Sequence, residues 1–399
     1  MSLSKNEIVK KTIVVLGFND HLKHTRSPLH FWSPLADDAP PHEFPSPLPP
    51  PLKKKRCACS YPSLVESMEY FAGIEGGATH STCVVVARDG RILGRSEGPQ
   101  TNHFIVGKQA VVDAAASMVR DAFANAGIQT TQLSTLGMAL SGGDNAEDQN
   151  ELIAMIRSQQ PNLASSIHVT TDAHGSAAAA SASDCIVLIA GTGSVCLHVS
   201  VSGGSSRVGG WGHMIGDEGS GYWVASRAIK RVFKAIDADK EQTCTVLHAA
   251  MLQYFGISDK RDMLKVMYAS PFDKAHVAGF ALQVSNAAEK GDDLALQIFD
   301  RAGMKLGQML GIMASKLNLN SATDVVCIGS VFKSYAFIRQ GVIRALRSHA
   351  QPSFACNLIQ LKESSAVGAA AIGAQKSGVV LPLNRQKWIH PFDTISPLS

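Results

Sequence analysis

The sequence contains no CxxC pair and no cluster of cysteine and histidine with the spacing of a zinc or iron-sulfur site. Its eight cysteines are scattered instead. A reduced thiol in an apolar run packs as a small hydrophobic side chain, and the cysteines in such runs are Cys83, Cys185, Cys196 and Cys327. This usage predicts a cytoplasmic protein without a zinc ion or an iron-sulfur cluster.

The chain also lacks a long hydrophobic run and a strong charge of one sign. No apolar stretch reaches the roughly 20 residues of a transmembrane helix, and the short run at residues 12–18 lacks a small-x-small cleavage site, so we do not expect secretion. Residues 1–68 carry nine Lys/Arg against six Asp/Glu, which leaves 28 against 27 in the remainder. We therefore expect neither a membrane nor a nucleic acid as partner.

Residues 1–68 are predicted to form a disordered, proline-rich, basic extension. Ten of the 17 prolines fall there, and proline supports neither a helix interior nor a β-ladder. The basic run at residues 53–56 is typical of a solvated tail, and a nuclear-localisation or anionic-surface signal is the alternative. Met68 precedes the first predicted strand. Its position raises the hypothesis that translation begins there and that the extension is an alternative product or an artefact of gene assignment, which the intact mass of the endogenous protein would test.

Three glycine-rich turns each follow an apolar, strand-like run, at residues 74–79, 190–194 and 328–331. Glycine lets the backbone approach phosphate oxygens closely, because it has no Cβ and turns in conformations that aim successive N–H groups at an anion. Thr79, Thr192 and Ser330 would add hydroxyl donors. Three such turns in one chain predict a clamp for a nucleotide.

The pattern around these turns occurs twice. A three-stranded meander with a hairpin signal at Asp89 and Gly90 is followed by a similar one, and the predicted strands are residues 70–74, 81–87, 91–96, 184–189, 195–201 and 207–210. The chain is also longer than one hydrophobic core usually serves. We therefore predict two α/β lobes, at residues 69–183 and 184–399.

Later in each half a strand runs into an alanine-rich helix, after residues 167–171 and after residues 358–361. Alanine favours the helix, but it does not explain why glycine recurs at Gly175, Gly368 and Gly373. We expect these two helices to cross between the lobes, because small side chains permit close packing.

The duplicated meander resembles the ribonuclease H-like superfold of actin, hexokinase and the Hsp70 ATPase. Its motifs are similar to those of the animal-type N-acetylglucosamine kinases, and they occur in order at residues 73–79 (GIEGGAT), 101–103 (TNH), 140–144 (LSGGD), 170–173 (TTDA), 191–194 (GTGS), 209–219 (GGWGHMIGDEG) and 329–334 (GSVFKS). The resemblance covers roughly residues 69–385 and is most specific at residues 209–223. It implies a two-lobed fold with the active site in the cleft, phosphorylation of the 6-hydroxyl of N-acetylglucosamine with MgATP as co-substrate, and a homodimer.

A sugar hydroxyl is a poor nucleophile, so phosphoryl transfer needs a carboxylate to accept its proton, a magnesium ion and donors around the transferring group. Asp172 follows an apolar strand and opens a helix. The residues alone leave two interpretations open, a catalytic base or an ordinary helix N-cap. The resemblance favours the base. Glu75 stands where many members of the superfold carry an aspartate that holds magnesium through water.

The resemblance also implies the binding residues. The residues expected to contact the sugar are Asn102, Asp172, Ser194, Val195, Gly210, Trp211, Gly212 and Asp217. The residues expected to contact ATP are Gly76, Gly77, Thr79, Thr192, Gly193, Ala278, Gly329, Ser330 and Ser334. Trp211 either packs on the sugar ring or braces its loop, His213 is interpreted as structural, and Glu218 is expected to orient the loop.

Two positions depart from the family pattern. Val195 replaces an asparagine that contributes to sugar binding, and Ala78 replaces a third glycine, which requires an ordinary negative φ there. The resemblance makes N-acetylglucosamine the first choice of substrate, and N-acetylmannosamine, glucosamine and glucose stay open as secondary substrates.

Two other classes of protein fit the sequence less well. An ATPase activator of a radical dehydratase needs cluster-binding cysteines, which this chain does not place suitably. A silent sugar sensor would lose the base or the phosphate-binding threonines, whereas Asp172, Thr79 and Thr192 are all present.

Overall fold

A computed structural model of the chain describes residues 69–77, 80–129 and 132–398. The predicted extension at residues 1–68 lies outside this part, as do Ala78 and Thr79 of the first turn. The described strands are β1 (Tyr70–Gly76), β2 (His80–Ala87), β3 (Ile92–Pro99), β4 (Leu133–Leu140), β5 (Ala164–Thr171), β6 (Cys185–Ala190), β7 (Ser194–Val199), β8 (Ser205–Gly209), β9 (Ala322–Ile328), β10 (Ala355–Leu361) and β11 (Ile389–Ile395).

Helices connect the parallel strands and fill the middle of the chain. The described α-helices are α1 (His103–Asn125), α2 (Ala146–Gln159), α3 (Asp172–Ala180), α4 (Gly221–Asp237), α5 (Thr245–Phe255), α6 (Met263–Met267), α7 (Lys274–Gly279), α8 (Ala281–Glu289), α9 (Asp293–Lys316), α10 (Tyr335–His349) and α11 (Ala366–Lys376). Short 3-10 turns lie at Glu241–Thr243, Lys260–Asp262, Ser330–Ser334 and Arg385–Lys387. Of the helices in the described part of the chain, none is both long enough and apolar enough to cross a membrane.

The two sheets repeat one topology. The first has the order β3-β2-β1-β4-β5, and the second has the order β11-β10-β9-β6-β7-β8. In each sheet an antiparallel meander is joined to two parallel strands, through the pairs β1–β4 and β4–β5 in the first sheet and β6–β9 and β9–β10 in the second. The duplication predicted from the sequence is therefore confirmed, and the fold is α/β with two mixed sheets.

β11 is the exception to the repeat. It pairs antiparallel with β10 at the edge of the second sheet and has no equivalent among the described strands of the first. The sequence analysis did not predict it, because Pro391 interrupts an otherwise weak strand pattern and a proline within a run argues against a strand. The register shifts between Leu358 and Ile359, where the proline is accommodated.

The helices α3 and α11 cross between the two sheets, as expected. Ala173 and Ala177 of α3 belong to a buried cluster with Val187 and Val326 of the second sheet. A Cβ added at Gly368 of α11 would lie 1.9 Å from the carbonyl oxygen of Gly175 in α3. The two backbones therefore touch, which only glycine permits at these positions.

The helix α11 comes from the C-terminal half of the chain but packs on the first sheet. Ala366 and Ala370 share a buried cluster with Phe71 of β1. A Cβ at Gly73 of β1 would lie 1.8 Å from the carbonyl oxygen of Ala366, and one at Gly137 of β4 would lie 1.9 Å from that of Ala369. Because glycines on both strands admit the helix backbone, the first turn of α11 packs against the middle of β1 and β4.

The cysteines in the apolar runs are free and buried, as predicted. Burial raises the pKa of the Cys83 and Cys185 thiols to about 12. These thiols are therefore protonated near neutral pH and unreactive, because the thiolate is the nucleophile.

Candidate active site

The parallel strands of the first sheet end side by side. Gly76 of β1 pairs with Leu140 of β4, which in turn pairs with Thr171 of β5. The next residue along each of the latter two strands is polar, namely Ser141 and Asp172. The carboxyl ends of neighbouring parallel strands are the usual place for a ligand in an open α/β sheet.

Hydrogen bonds link these strand ends. The N–H of Ser141 donates to the carbonyl oxygen of Gly76 at 2.8 Å. The Ser141 hydroxyl donates to Oδ2 of Asp172 at 3.0 Å, and the N–H of Ala173 donates to Oδ1 at 2.8 Å. The first glycine turn and the Asp172 carboxylate are therefore held in one network.

Asp172 is the first residue of α3, not its cap. Thr171 occupies the N-cap position, and its hydroxyl accepts from the N–H of His174 at 3.3 Å. The alternative of Asp172 as an ordinary N-cap is therefore wrong, because the preceding threonine fills that place. The Asp172 carboxylate stays available for another role.

The pKa of the Asp172 carboxyl is raised above its usual value. Burial is the main cause, and the negative charges of Asp144 and Glu75 add to it. The hydrogen bonds from Ser141 and Ala173 oppose the rise, because they stabilise the charged form. A carboxyl perturbed in this way at a strand end is a candidate for acid-base chemistry.

Asn102 lies beside this network. The N–H of Thr101 donates to the carbonyl oxygen of Gly77 at 3.2 Å, and Oδ1 of Asn102 accepts from the N–H of Phe104 at 3.1 Å. A Cβ at Gly142 would lie 3.4 Å from the same Oδ1 atom. The predicted sugar-binding Asn102 therefore caps α1 next to the turn that follows β4.

Glu75 joins the first sheet to the start of α11. Its Oε2 atom accepts from the Ser364 hydroxyl and from the N–H of Ser365, the latter at 3.0 Å. Oε1 makes no hydrogen bond with the described residues. The structure thus uses one oxygen of Glu75 for an internal contact. The sequence analysis did not foresee this role of Ser364.

The second and third glycine turns meet at the carboxyl ends of β6 and β9, the two central strands of the second sheet. Ile189 of β6 pairs in parallel with Ile328 of β9. Gly329 has a φ of 112°, and a Cβ there would lie 2.4 Å from the carbonyl carbon of Ala190. Only glycine fits this contact. Thr192 and Ser330 therefore both lie just beyond the carboxyl ends of β6 and β9, where both are exposed.

Two of the glycine N–H groups are occupied inside their own hairpins. The N–H of Gly77 donates to the carbonyl oxygen of His80 at 3.2 Å, and that of Gly191 donates to the carbonyl oxygen of Gly193 at 2.9 Å. In these two turns a phosphate would therefore be met by the remaining backbone and hydroxyl groups.

Asp217 lies against the second glycine turn. Its side chain is only 4% exposed, its Oδ1 accepts from the N–H of Ser194 at 3.3 Å, and its Oδ2 accepts from Nζ of Lys274 at 2.7 Å. A Cβ at Gly193 would lie 3.0 Å from both carboxylate oxygens. Asp217 has a φ of 55°, in the left-handed region that aspartate tolerates better than most residues.

The loop before Asp217 packs on β7 at Val195, the residue that departs from the family pattern. A Cβ at Gly210 would lie 2.8 Å from Cγ2 of Val195. Trp211 is 65% exposed, and the guanidinium of Arg207 lies 4.6 Å from its ring centre while donating to the carbonyl oxygen of Gly210. Gly212 follows in the same exposed segment. Arg207 therefore lies over the Trp211 ring, and most of the Trp211 side chain stays exposed.

The polar neighbours of this loop are engaged within the protein. His213 lies 4.8 Å from Tyr222 and 5.3 Å from Phe272, measured between ring centres, in agreement with the structural interpretation. The carbonyl oxygen of Glu218 accepts from the Ser194 hydroxyl at 2.7 Å, and its carboxylate lies 3.0 Å from Nζ of Lys305.

Ala278 and Ser334, which are both predicted nucleotide contacts, are buried. Ala278 is in α7, and a Cβ at Gly221 would lie 3.5 Å from the carbonyl oxygen of Ala278. The N–H of Gly221 donates to the carbonyl oxygen of Gly191 at 2.7 Å. The Ser334 hydroxyl is paired with that of Ser285 at 2.8 Å. Ser334 therefore already has a partner inside the protein, and its hydroxyl would have to turn to reach a nucleotide.

The sequence analysis missed Ser141 and Lys274. Ser141 had a usable signal, because it ends a strand next to the one that precedes Asp172. Lys274 had none, since 57 residues separate it from Asp217. In the described part of the chain no group of three or more histidine, cysteine or acidic side chains is arranged to hold a metal directly.

Comparison with known proteins extends these observations. The chain is 27% identical to the N-acetylmuramic acid/N-acetylglucosamine kinase of Clostridium acetobutylicum over 76% of its length and 98% of the relative. It is 26% identical to the N-acetyl-D-glucosamine kinase of Dictyostelium discoideum, over 64% of its length and 82% of the relative.

The fold is shared with a solved structure of a Chromobacterium violaceum protein assigned as an N-acetylglucosamine kinase. The TM-score is 0.59 at 24% identity, over 76% of this chain and 98% of that one. The sequence profile of one family matches residues 72–373, which is more than half of the chain. The chain belongs to the BadF/BadG/BcrA/BcrD ATPase family.

Proposed function

We propose that this protein is an ATP-dependent sugar kinase that transfers the γ-phosphoryl group of MgATP to the 6-hydroxyl of N-acetylglucosamine. The observation that carries the proposal is the half-buried Asp172 carboxylate, which accepts a hydrogen bond from Ser141 at the strand ends beside the first glycine turn. The names of the relatives point to the same reaction and the same substrate.

Asp172 acts as the general base in this proposal. Its raised pKa makes the carboxylate a stronger base than an ordinary aspartate. Ser141 holds Oδ2 in place. The proton of the sugar hydroxyl passes to the carboxylate as the oxygen bonds to phosphorus and the bond to the leaving ADP breaks.

On one side the sugar contacts Asn102 and Asp172, and on the other side it contacts residues around the second glycine turn and the loop before Asp217. There the proposed contacts are Ser194, Val195, Gly210, Trp211, Gly212 and Asp217. Asp217 is supported in this role by its fixed orientation, because a carboxylate held by Ser194 and Lys274 loses little freedom when a hydroxyl donates to it.

ATP lies along the three glycine turns. The proposed contacts are Gly76, Gly77, Thr79, Thr192, Gly193, Ala278, Gly329, Ser330 and Ser334. Magnesium bound to the nucleotide would neutralise charge on its phosphates. The Glu75 carboxylate fits a metal held through water, because its Oε1 atom makes no hydrogen bond with the described residues and Asp144 and Asp172 add negative charge nearby.

We also propose that the lobes, at residues 69–183 and 184–399, close around the substrates. Water competes with the sugar as acceptor, so an open site would hydrolyse ATP. The buried free thiols fit a reducing compartment, which supports a cytoplasmic protein. A homodimer is proposed by analogy with the kinases it resembles.

The decisive experiment measures ADP release from MgATP by the purified chain with and without N-acetylglucosamine. N-acetylmannosamine, glucosamine and glucose are assayed in parallel, and the Asp172→Asn variant controls for contaminating kinases. Strong stimulation by N-acetylglucosamine that the variant loses would support the proposal. Stimulation by another sugar alone would move the substrate, and no stimulation by any sugar would favour a silent sugar-binding protein.

A further inference from the structure

A basic groove lies between α4 and α9, and none of the residues that line it belongs to the candidate active site. It encloses a cavity of about 620 Å³. The side chains that line it include six cations, namely Arg227, Lys230, Arg231, Lys234, Arg301 and Lys305. The described part of the chain is nearly neutral overall, so this concentration of one charge is a local feature.

Most of this positive charge has no internal partner. Lys305 lies 3.0 Å from the Glu218 carboxylate, and the other five cations make no ion pair with a described carboxylate. Of the acidic residues of α9, Asp300 pairs with Arg344 outside the groove, and Asp293 lines an adjoining recess. The groove therefore presents uncompensated charge.

The spacing on α4 concentrates this charge further. Arg227, Lys230, Arg231 and Lys234 are three and four residues apart, and like charges at these spacings destabilise a helix. The first and last of them are about 10 Å apart along the helix axis, at 1.5 Å per residue. A ligand with several negative charges within that length would relieve the repulsion.

The shape of the groove favours a small ligand over a nucleic acid strand. Trp223 is half-buried, and the guanidinium of Arg227 lies 5.1 Å from its ring centre, so a stacking face for bases is already covered. The cavity volume falls in the range of small-molecule sites. Arginine matches phosphate with two parallel hydrogen bonds, and the groove has three arginines.

From these observations we infer that the groove between α4 and α9 binds a small anion carrying several clustered phosphate groups, free or as a lipid headgroup. This site is separate from the glycine turns of the proposed ATP site. The inference does not depend on the kinase reaction, and it holds or fails whatever sugar the protein phosphorylates.

Isothermal titration calorimetry of the full chain with inositol hexakisphosphate tests it. The double variant Arg231→Gln/Lys234→Gln removes two exposed groove cations, and Arg120→Gln/Lys387→Gln removes the same charge from exposed positions elsewhere. We expect one site whose affinity falls at least tenfold in the groove variant and stays within twofold in the control. Circular dichroism verifies that both variants are folded.

Three results would overturn the proposal. The first is that the unmodified chain binds neither inositol hexakisphosphate nor vesicles that contain phosphatidylinositol bisphosphate. The second is equal weakening by both double variants, which would indicate general charge attraction. The third is weakening by Thr192→Val and not by the groove variant, which would place the anion on the glycine turns.

Further arms identify the source of the phosphates. Phosphatidylcholine vesicles with and without phosphatidylinositol bisphosphate are tested for sedimentation with the chain. Groove-dependent binding to the free anion, to the headgroup or to both upholds the proposal. Groove-dependent binding of a single-stranded RNA oligonucleotide, without binding of either phosphate probe, would replace it with a nucleic acid site.

Discussion

Nζ of Lys274 lies 2.7 Å from Oδ2 of Asp217, and it is the cation that compensates this buried carboxylate. The side chain of Lys274 is 30% exposed, whereas that of Asp217 is 4% exposed. Lysine can therefore keep part of its hydration while Asp217 depends on its protein partners. Loss of one member of such a pair leaves the other charge buried and unpaired.

We expect Lys274→Met to lower the free energy of unfolding by about 1 to 3 kcal/mol and to raise the KM for N-acetylglucosamine, because the Asp217 carboxylate loses its fixed orientation. Urea denaturation and steady-state kinetics measure the two effects. Lys265→Met is the matched control, since Lys265 pairs with Asp262 at the surface and such pairs contribute less than about 1 kcal/mol. Equal, small effects of both variants would contradict the proposed role of Lys274.

The Asp172→Asn variant removes the proposed base while keeping the shape of the side chain. We expect kcat to fall by about 10² to 10⁴, with the dissociation constant for N-acetylglucosamine changed only a few-fold. Rapid-quench kinetics and calorimetry measure the two quantities. Asp113→Asn, an exposed change on α1, is the control. Full turnover by Asp172→Asn would remove Asp172 as the base.

Two neighbours should move the pH profile in opposite directions. The active form of Asp172 is the carboxylate, so kcat/KM falls as the pH drops through its pKa, and the raised pKa places this fall at higher pH than for an ordinary aspartate. Ser141→Ala removes a hydrogen bond that lowers the pKa, so the fall should move to higher pH. Asp144→Asn removes a negative charge that raises the pKa, so it should move to lower pH.

The pH dependence of kcat/KM between pH 4 and 9 measures both shifts. A displacement in the same direction for the two variants would show that the acidic limb belongs to another group.

The contact between α3 and α11 should tolerate no side chain at its centre. A Cβ at Gly368 meets the Gly175 carbonyl oxygen at 1.9 Å and the backbone nitrogen of Ala179 at 2.6 Å. Neither backbone can yield without moving a helix, so Gly368→Ala should cost about 1 to 3 kcal/mol in stability.

Gly204→Ala is the control for this change. The nearest atom to a Cβ there is 3.9 Å away, in the exposed hairpin between β7 and β8. We expect its effect to stay within about 0.5 kcal/mol. Thermal unfolding of both variants provides the comparison, and similar melting temperatures would show that the helices can separate at little cost.

Val195→Asn restores the residue that the resembling kinases carry. Val195 is half-buried beside Gly210, so an asparagine amide there can reach a bound sugar without losing all contact with water. One added hydrogen bond is worth about 0.5 to 1.5 kcal/mol, so the KM for N-acetylglucosamine should fall several-fold while that for ATP is unchanged. Val201→Asn, at an exposed position, should change neither. An unchanged KM for the sugar in Val195→Asn would place the sugar elsewhere.

The sequence predicted the repeated architecture, because its signals are local. Apolar runs of strand length, glycine turns and alanine-rich helices recur in the same order in both halves, and the predicted strands lie within three residues of the observed ones. Asp172 was found in the same way, since it follows a strand and opens a helix. The residues of each candidate turn could be identified without knowing what they contact.

Contacts between distant segments followed only from the tertiary structure. The pairing of Lys274 with Asp217, the Glu75 contact with Ser364 and the Ser285 partner of Ser334 join residues far apart in the chain. The same is true of the groove between α4 and α9.

The sequence by itself determined which residues share a strand end or a helix face, because the periods of the strand and the helix fix side-chain direction. Which faces then meet depends on packing over the whole core, where glycines such as Gly368 and Gly329 permit backbone contact that no local pattern specifies. For that reason the sequence alone indicated the chemistry of the site, and the tertiary structure decided the partners that orient it.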